Sequence, residues 1–186
     1  MKPNWFVAFS VSPDSWYEEV YKTVEEPMYK YHPEDLHSTV AFFGSLDEEG
    51  VERVKRVMDT FDEKSLLVTL GKLLFLPTLQ KYSAVSYSVD EGNAVLQNYI
   101  QKYRDQFFIA AKQDVDSRPP LPHVTIVRPP KKTTVGENRK FSKSIQKLST
   151  PRNKILINTL SLYTWSENRS FCQDRQYKEI YSVKMN

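Results

Sequence analysis

One tetrapeptide pattern occurs twice in this chain, at matching places in a repeated order of elements, and it restricts the fold more than any other feature. His37-Ser38-Thr39-Val40 and His123-Val124-Thr125-Ile126 both read His-x-Thr-aliphatic, in a chain with three histidines. By composition a histidine meets that pattern about once in a hundred, so two meet it by accident roughly once in ten thousand. Around them the apolar residues run strand–helix–strand–helix–strand twice over, and each histidine opens the middle strand. That order supports an internal duplication.

Residues 5–11 are aromatic and β-branched, which predicts a buried strand. Ser12-Pro13 starts a helix over 13–25, with Trp16, Val20 and Val24 as its apolar stripe. A strand over 36–43 ends at Gly44, and Val51, Val54, Met58 and Phe61 mark a helix over 47–61. The strand over 66–76 contains Gly71, the sign of a bulge. The second half predicts a strand over 82–89, a helix over 92–107, a strand over 122–128, a helix over 137–148 and strands over 154–163 and 177–184. A chain of 186 residues fits a single domain, with lobe-forming repeats of approximately 1–80 and 81–186. Two segments, 108–121 and 164–176, are long enough to be loops that carry binding residues; the second holds Trp165, Asn168 and Arg169.

Composition removes several function classes. A net charge of +3 is too mild for wholesale coating of nucleic acid. The basic stretch 128–147 places Lys140, Lys143 and Lys147 away from the stripe Phe141–Ile145–Leu148, as a solvated helix face does; tracking of RNA phosphates is the alternative. A lone Cys172 cannot form an internal disulfide, which points to a reducing compartment. No apolar run reaches the ~18 residues of a membrane span, and the opening Met1-Lys2-Pro3-Asn4 leads into a strand without a signal-peptide pattern. The expectation is a cytoplasmic monomer with no membrane partner.

The tetrapeptides carry the chemistry. In a strand, residues i and i+2 project from one face, about 6–7 Å apart. Each motif therefore sets an imidazole beside a hydroxyl, while Val40 and Ile126 point into the core. Two such strands brought together surround a small volume with two imidazoles and two hydroxyls, and phosphate is its natural occupant. Thr39 and Thr125 donate to non-bridging oxygens. One histidine, neutral, takes a proton from water; the other, protonated, gives one to a departing ribose oxygen. Histidine suits both roles because its pKa lies near 6.5. The scheme calls for no metal and no other cofactor, and no cluster of His, Cys and carboxylate at ligand spacing is present.

The two tetrapeptides, within Pro33-Glu34-Asp35-Leu36-His37-Ser38-Thr39-Val40-Ala41-Phe42-Phe43-Gly44 and Pro122-His123-Val124-Thr125-Ile126-Val127-Arg128, resemble those of the two-histidine (2H) phosphoesterases. The nearest likeness is to RNA 2′,3′-cyclic phosphodiesterases, also called 2′-5′ RNA ligase-like proteins. It extends to the opening strand Phe6-Val7-Ala8-Phe9 and the closing Tyr181-Ser182-Val183. The resemblance implies a bilobal α+β fold with a pseudo-two-fold axis: two antiparallel sheets flank a central groove and helices lie outside. It implies a metal-independent phosphoric diester hydrolase with His37 and His123 catalytic and Thr39 and Thr125 binding substrate. The partner is RNA or a nucleotide bearing a 2′,3′-cyclic phosphate, opened to the 2′-phosphate with His123 as base and His37 as acid. Ser38 departs from the aliphatic residue common in the first motif, and segments 62–80 and 164–176 diverge.

Other residues support the site. Arg128, five residues after His123, fits a bidentate phosphate donor and falls where close relatives place an arginine. Phe42 is a candidate for stacking on a base. Phe6 reads as core, Tyr29 and Tyr31 are further stacking candidates, and His32 matches no motif. Competing activities are hydrolysis of 2′-5′-linked oligonucleotides or of ADP-ribose cyclic phosphate, or RNA-end binding without turnover.

Overall fold

The computed structural model describes residues 3–131, 133–151, 153–166 and 176–186. Asn168, Arg169 and Cys172 lie outside the described residues. The fold is α+β, with two antiparallel sheets and four helices among the described residues. The strands are β1 (Trp5–Ser10), β2 (Tyr29–Lys30), β3 (His37–Gly44), β4 (Leu66–Pro77), β5 (Tyr82–Val89), β6 (His123–Arg128), β7 (Lys154–Ile157), β8 (Thr159–Trp165) and β9 (Tyr177–Lys184). The helices are α1 (Asp14–Thr23), α2 (Glu48–Asp59), α3 (Asn93–Ala110) and α4 (Val135–Ile145). A short 3₁₀ turn, Pro33–Asp35, precedes β3. Sequence periodicity locates the long elements; it misses β2 and the 3₁₀ turn, which are too short to show a period.

One sheet has the order β3-β1-β8-β9 and the other β2-β6-β5-β4-β7. The two halves of the chain therefore do not each build a lobe. Each sheet joins a histidine strand and its opening strand to the third strand of the other repeat: β3-β1 takes β8, and β6-β5 takes β4. The cause is local. Only residues 78–81 separate β4 from β5, so they close as an antiparallel hairpin, which draws β4 into the second sheet. The predicted strand 154–163 is split at Asn158. Its first part pairs with the first part of β4, Leu66 opposite Ile157 through Thr69 opposite Lys154, and its second part pairs with β1. The register of β4 shifts between Leu70 and Leu73, around Gly71, as the internal glycine predicts.

Trp16 of α1, in the stripe that the sequence marks, meets Tyr87 of β5. Helix α3 runs past the predicted end at 107, and Phe108 in that extension meets Phe43 of β3. One continuous core joins both sheets, from Val7 and Phe9 through Val85 and Ile126 to Leu160 and Leu162. Lys140, Lys143 and Lys147 are exposed on the outer face of α4 and just beyond its end. No described helix is long and apolar enough to cross a membrane.

The Tyr17 hydroxyl ties α1 to both parts of the site, lying 2.7 Å from the Tyr31 carbonyl and 3.1 Å from that of Ile126 in β6. Tyr17, Tyr31 and Ile126 are all buried, and each carbonyl keeps a second donor, the Tyr21 hydroxyl and the Tyr31 amide, so only the net worth of the Tyr17 bonds is lost. Tyr17→Phe is expected to cost about 0.5–1.5 kcal/mol, read as a lower denaturation midpoint at unchanged slope. An unchanged midpoint would show that the hydroxyl holds nothing.

Candidate active site

Both histidines occupy the first position of their strands, and both are held by the same device. His37 Nδ1 lies 2.6 Å from the carbonyl of Asp35, and His123 Nδ1 lies 2.6 Å from the carbonyl of Leu121. A carbonyl only accepts, so each Nδ1 carries a proton and each Nε2 keeps its lone pair for the groove. The sequence elements just ahead of the strands supply those carbonyls. The 3₁₀ turn, capped by the ring of His32, which accepts from the Glu34 amide, presents Asp35. The Pro119-Pro120-Leu121-Pro122 segment presents Leu121. His32 thus has a capping role that no motif reveals.

The two strands share a further irregularity. Val40 is an extra residue of β3 opposite β1, which also skips Phe43 near its end, and Ile126 is the extra residue of β6 opposite β5. A bulge reverses the alternation beyond it. In β3, residues 38, 40, 41 and 43 are buried while 37, 39 and 42 face out; in β6, 124, 126 and 127 are buried while 123, 125 and 128 face out. Phe42 and Arg128 are therefore equivalent positions, each five residues after its histidine and on the same face as the His and Thr. Simple alternation would have sent both into the core. Cα atoms of β3 and β6 approach within 8 Å, which joins the two faces at the groove.

The predicted site residues do gather there, with unequal surroundings. His37 sits in an aromatic box, its ring centroid 4.8 Å from Phe6, 5.5 Å from Tyr177, 6.0 Å from Tyr163 and 6.2 Å from Tyr31. Phe6, Ala8 and Tyr163 form a small apolar floor on this side, separate from the main core. Phe6 is thus core, as expected, but core that touches the catalytic candidate. Thr39 lies opposite Ala8. Thr125 has its hydroxyl 3.1 Å from that of Ser86, an oxygen able to donate to it and leave its own proton for a ligand. Phe42 is 53% exposed, open to a ligand.

Tyr31 differs from its expected role. It is buried rather than offered for stacking, and its hydroxyl accepts from Arg128 Nε at 2.7 Å, with Tyr177 OH at 3.4 Å. The guanidinium also lies over the Tyr31 ring, 5.8 Å from its centroid. Holding Nε leaves the two terminal nitrogens of Arg128 for an anion. Nothing in the periodicity marks Tyr31 or Tyr177 for this; only the tertiary fold sets the residue after β2 beside β6 and brings the Tyr177 ring at the start of β9 within 5.5 Å of His37.

Electrostatics lowers the proton affinity of both imidazoles. Burial among protein atoms holds His37 at about 4; the Asp35 carbonyl opposes this, while the nearby His123 and Arg128 charges add to it. The residue as a whole is half-buried. His123 is also lowered, by burial first and by Arg128, against the Leu121 carbonyl. Burial keeps the Tyr177 hydroxyl protonated well above its ordinary range. Among the described residues no group of three or more His, Cys, Asp or Glu is placed to hold a metal ion.

With the geometry in place, comparison with known proteins is informative for structure alone. No family model and no curated protein sequence matches the chain. Solved structures do. A protein described as a phosphoesterase superposes with a TM-score of 0.71 at 17% identity, covering 100% of this chain and 99% of that one. Escherichia coli LigT in complex with 3′-AMP gives 0.72 at 17%, with the same coverage. Kluyveromyces marxianus Usb1 gives 0.53 at 14%, over 86% of this chain and 92% of that one. The chain has the LigT fold. The α+β architecture of two antiparallel sheets that the family resemblance implies is the one found.

Both imidazoles are expected to be neutral near pH 7 with the proton on Nδ1, as read from ¹⁵N chemical shifts. On acidification His37 should stay neutral until about pH 4. A His37 midpoint at or above the ordinary 6.5 would overturn the burial argument.

Proposed function

We propose that this protein is a metal-independent phosphodiesterase that opens 2′,3′-cyclic phosphates of RNA ends or nucleotides to the 2′-phosphate. One observation supports the reading: two imidazoles, each locked by the same Nδ1-to-carbonyl bond, open two strands that approach within 8 Å, each on the same face as a threonine. Binding alone would not need two proton-transfer groups. The LigT fold supports phosphoester chemistry, and the 3′-AMP complex of E. coli LigT supports a nucleotide end as ligand. The protein acts, on this proposal, as a cytoplasmic monomer of the 2H phosphoesterase superfamily.

In the proposed reaction the phosphodiester anion lies between the rings, with Thr39, Thr125 and the terminal nitrogens of Arg128 on its non-bridging oxygens. Water attacks phosphorus as His123 Nε2 takes its proton. The bond from phosphorus to the ribose 3′ oxygen breaks, and that oxygen takes the proton from His37 Nε2. The products are a 2′-phosphate monoester and a free 3′ hydroxyl. Holding the base on one side of phosphorus and the acid on the other fixes an in-line geometry, which supplies much of the rate. The role assignment follows the family resemblance alone. In the free protein the stronger lowering of His37 leaves the pair's single proton on His123, so the assigned roles require the bound anion to place it on His37.

His37→Ala and His123→Ala should each lower turnover by roughly 10²–10⁴-fold, and the double variant should lose little beyond the worse single one. Near-normal turnover in either single variant would sink the mechanism. Activity should persist in EDTA, and chromatography against standards should find only the 2′-phosphate; a mixture of isomers would contradict in-line attack from one side.

The pH dependence has a definite sign. The active free form carries one proton on the pair, and both pKa values lie below 6.5. Above that pH the singly protonated fraction falls about tenfold per unit, so kcat/KM, which reports the free enzyme, should peak between about 4 and 6.5. Binding of the anion raises both pKa values, so phosphate should draw a proton from buffer near pH 6 in calorimetry. A kcat/KM maximum above pH 7.5 would exclude this protonation scheme.

A further inference from the structure

Two residues before His37 the chain buries a carboxyl group that the proposed reaction does not use. Asp35 is 1% exposed, and among the described residues it is the only buried acid. Burying a carboxyl is costly unless it is hydrogen-bonded. The 3₁₀ turn puts it there, the Asp35 amide donating to the His32 carbonyl at 2.8 Å. The residue is then used twice. Its main-chain carbonyl accepts from His37 Nδ1, and its Oδ2 accepts from the Gln176 amide, each at 2.6 Å.

Gln176 leads into β9. Its carbonyl accepts from the Ser166 amide at 2.9 Å, and the neighbouring pair of the ladder is Trp165 with Tyr177. The Tyr177 ring stands edge-on to His37, at 84° and 5.5 Å, and edge-on to Phe6 at 4.8 Å. Asp35 thus holds the imidazole through its main chain and, through its side chain, the residue that precedes the imidazole's wall. A second link in this corner is weaker: the Tyr177 and Tyr31 hydroxyls are 3.4 Å apart, long beside the usual range of about 2.5–3.0 Å. The charges that act on His37 are those of His123 and Arg128, and Tyr31, Tyr163 and Tyr177 meet it as rings. The Asp35 charge acts on Tyr17, Tyr21 and Tyr177, whose hydroxyls it helps keep protonated. Asp35 therefore reaches His37 through bonds and packing.

We propose that Asp35 is a positioning residue for His37: its carboxyl, through the Gln176 amide, sets the Tyr177 ring as a wall of the imidazole, while its carbonyl fixes the tautomer. Burial is the largest influence on the proton affinity of His37, so whatever seats the wall sets that affinity. A residue in the turn before β3 thereby ties the protonation of one imidazole to the seating of β9, the last strand of the chain. The consequence for turnover rests on the phosphodiesterase reading, in which His37 is the acid.

The ¹⁵N shifts of His37, followed against pH without substrate, test this. The wild type should titrate at about 4. Asp35→Ala removes the acceptor of the Gln176 amide, so the Tyr177 ring should leave and water should reach the imidazole. The His37 midpoint should then rise by about one pH unit or more toward 6.5, and that of His123 should move less. Asp35→Asn, whose Oδ1 can still accept from the amide, should hold the His37 midpoint within about 0.5 unit of the wild type. Tyr177→Leu should raise it as Asp35→Ala does, and the double variant no further than the larger single one, because both act through one wall. In turnover the kcat/KM maximum should move upward with the His37 midpoint, whereas a merely structural loss would lower kcat/KM without moving it. A wild-type midpoint in Asp35→Ala, or additive shifts in the double variant, would overturn the role. If Asp35→Ala does not fold, a midpoint unmoved in Tyr177→Leu or raised by about a full unit in Asp35→Asn would overturn it equally. Absence of turnover by the wild type would end the phosphodiesterase reading and leave the midpoints to decide the role of Asp35.

Discussion

The pairing of Leu66–Thr69 with Lys154–Ile157 is the constraint on which the rest of the molecule depends. These are the opening residues of corresponding third strands, and they run antiparallel to each other where the two repeats meet. Beyond them the chains part, β4 continuing beside β5 and β8 beside β1. Each sheet therefore contains a strand from the other repeat, and neither can be separated without breaking a ladder. The shared core from Val7 to Leu162 reflects that exchange. A groove built between two independent lobes would open and close; here its two walls are covalently and hydrogen-bonded parts of one interleaved structure. For chemistry that needs an acid and a base at fixed positions across one phosphorus, rigidity of this kind is the useful property.

Much of this is legible because two periodicities are strong in the sequence. Alternation places His37 with Thr39 and His123 with Thr125, and the helical stripe of Val51, Val54 and Met58 names the buried face of α2. The strand exchange is not legible in the same way, because periodicity says which face of a strand is buried but not which neighbour covers its edge. The shortness of the β4–β5 connection holds the necessary information, since a four-residue link between strands forces them to pair. The bulges at Val40 and Ile126 are hidden for a different reason. Val40-Ala41 and Ile126-Val127 are runs of two apolar residues, compatible with a continuous strand and with an irregular one alike. Only pairing against β1 and β5 reveals the extra residue.

Tyr31 illustrates how a residue's role can change between sequence and structure. Beside Tyr29 in an irregular segment, it looks like a surface ring available for stacking. In the fold its amide donates to the Ile126 carbonyl, its own carbonyl accepts from Tyr17 and Tyr21, and its hydroxyl accepts from Arg128. These bonds join the segment before the first histidine to the strand of the second. Residues distant in sequence thereby share one set of hydrogen bonds, and no local pattern can announce such a set.

The repeated tetrapeptides make the two halves of the site chemically alike, yet the proposed reaction requires them to differ, since one imidazole would give a proton while the other takes one. The difference enters at the fifth position. Both bulges turn that residue toward the groove, but one is Phe42 and the other Arg128. Around Phe42 the wall is aromatic, with Phe6, Tyr163 and Tyr177 closing on His37. Around Arg128 it is polar and charged, with Ser86 beside Thr125 and Tyr31 holding the guanidinium. On the proposed reaction, an anion would be drawn toward the arginine wall and a base toward the phenylalanine wall, giving a nucleotide one favoured orientation in a groove whose histidines alone would accept two. That orientation would decide which ribose oxygen faces which imidazole, so the tetrapeptides would supply the acid–base pair and the fifth residue after each histidine would set the roles within it.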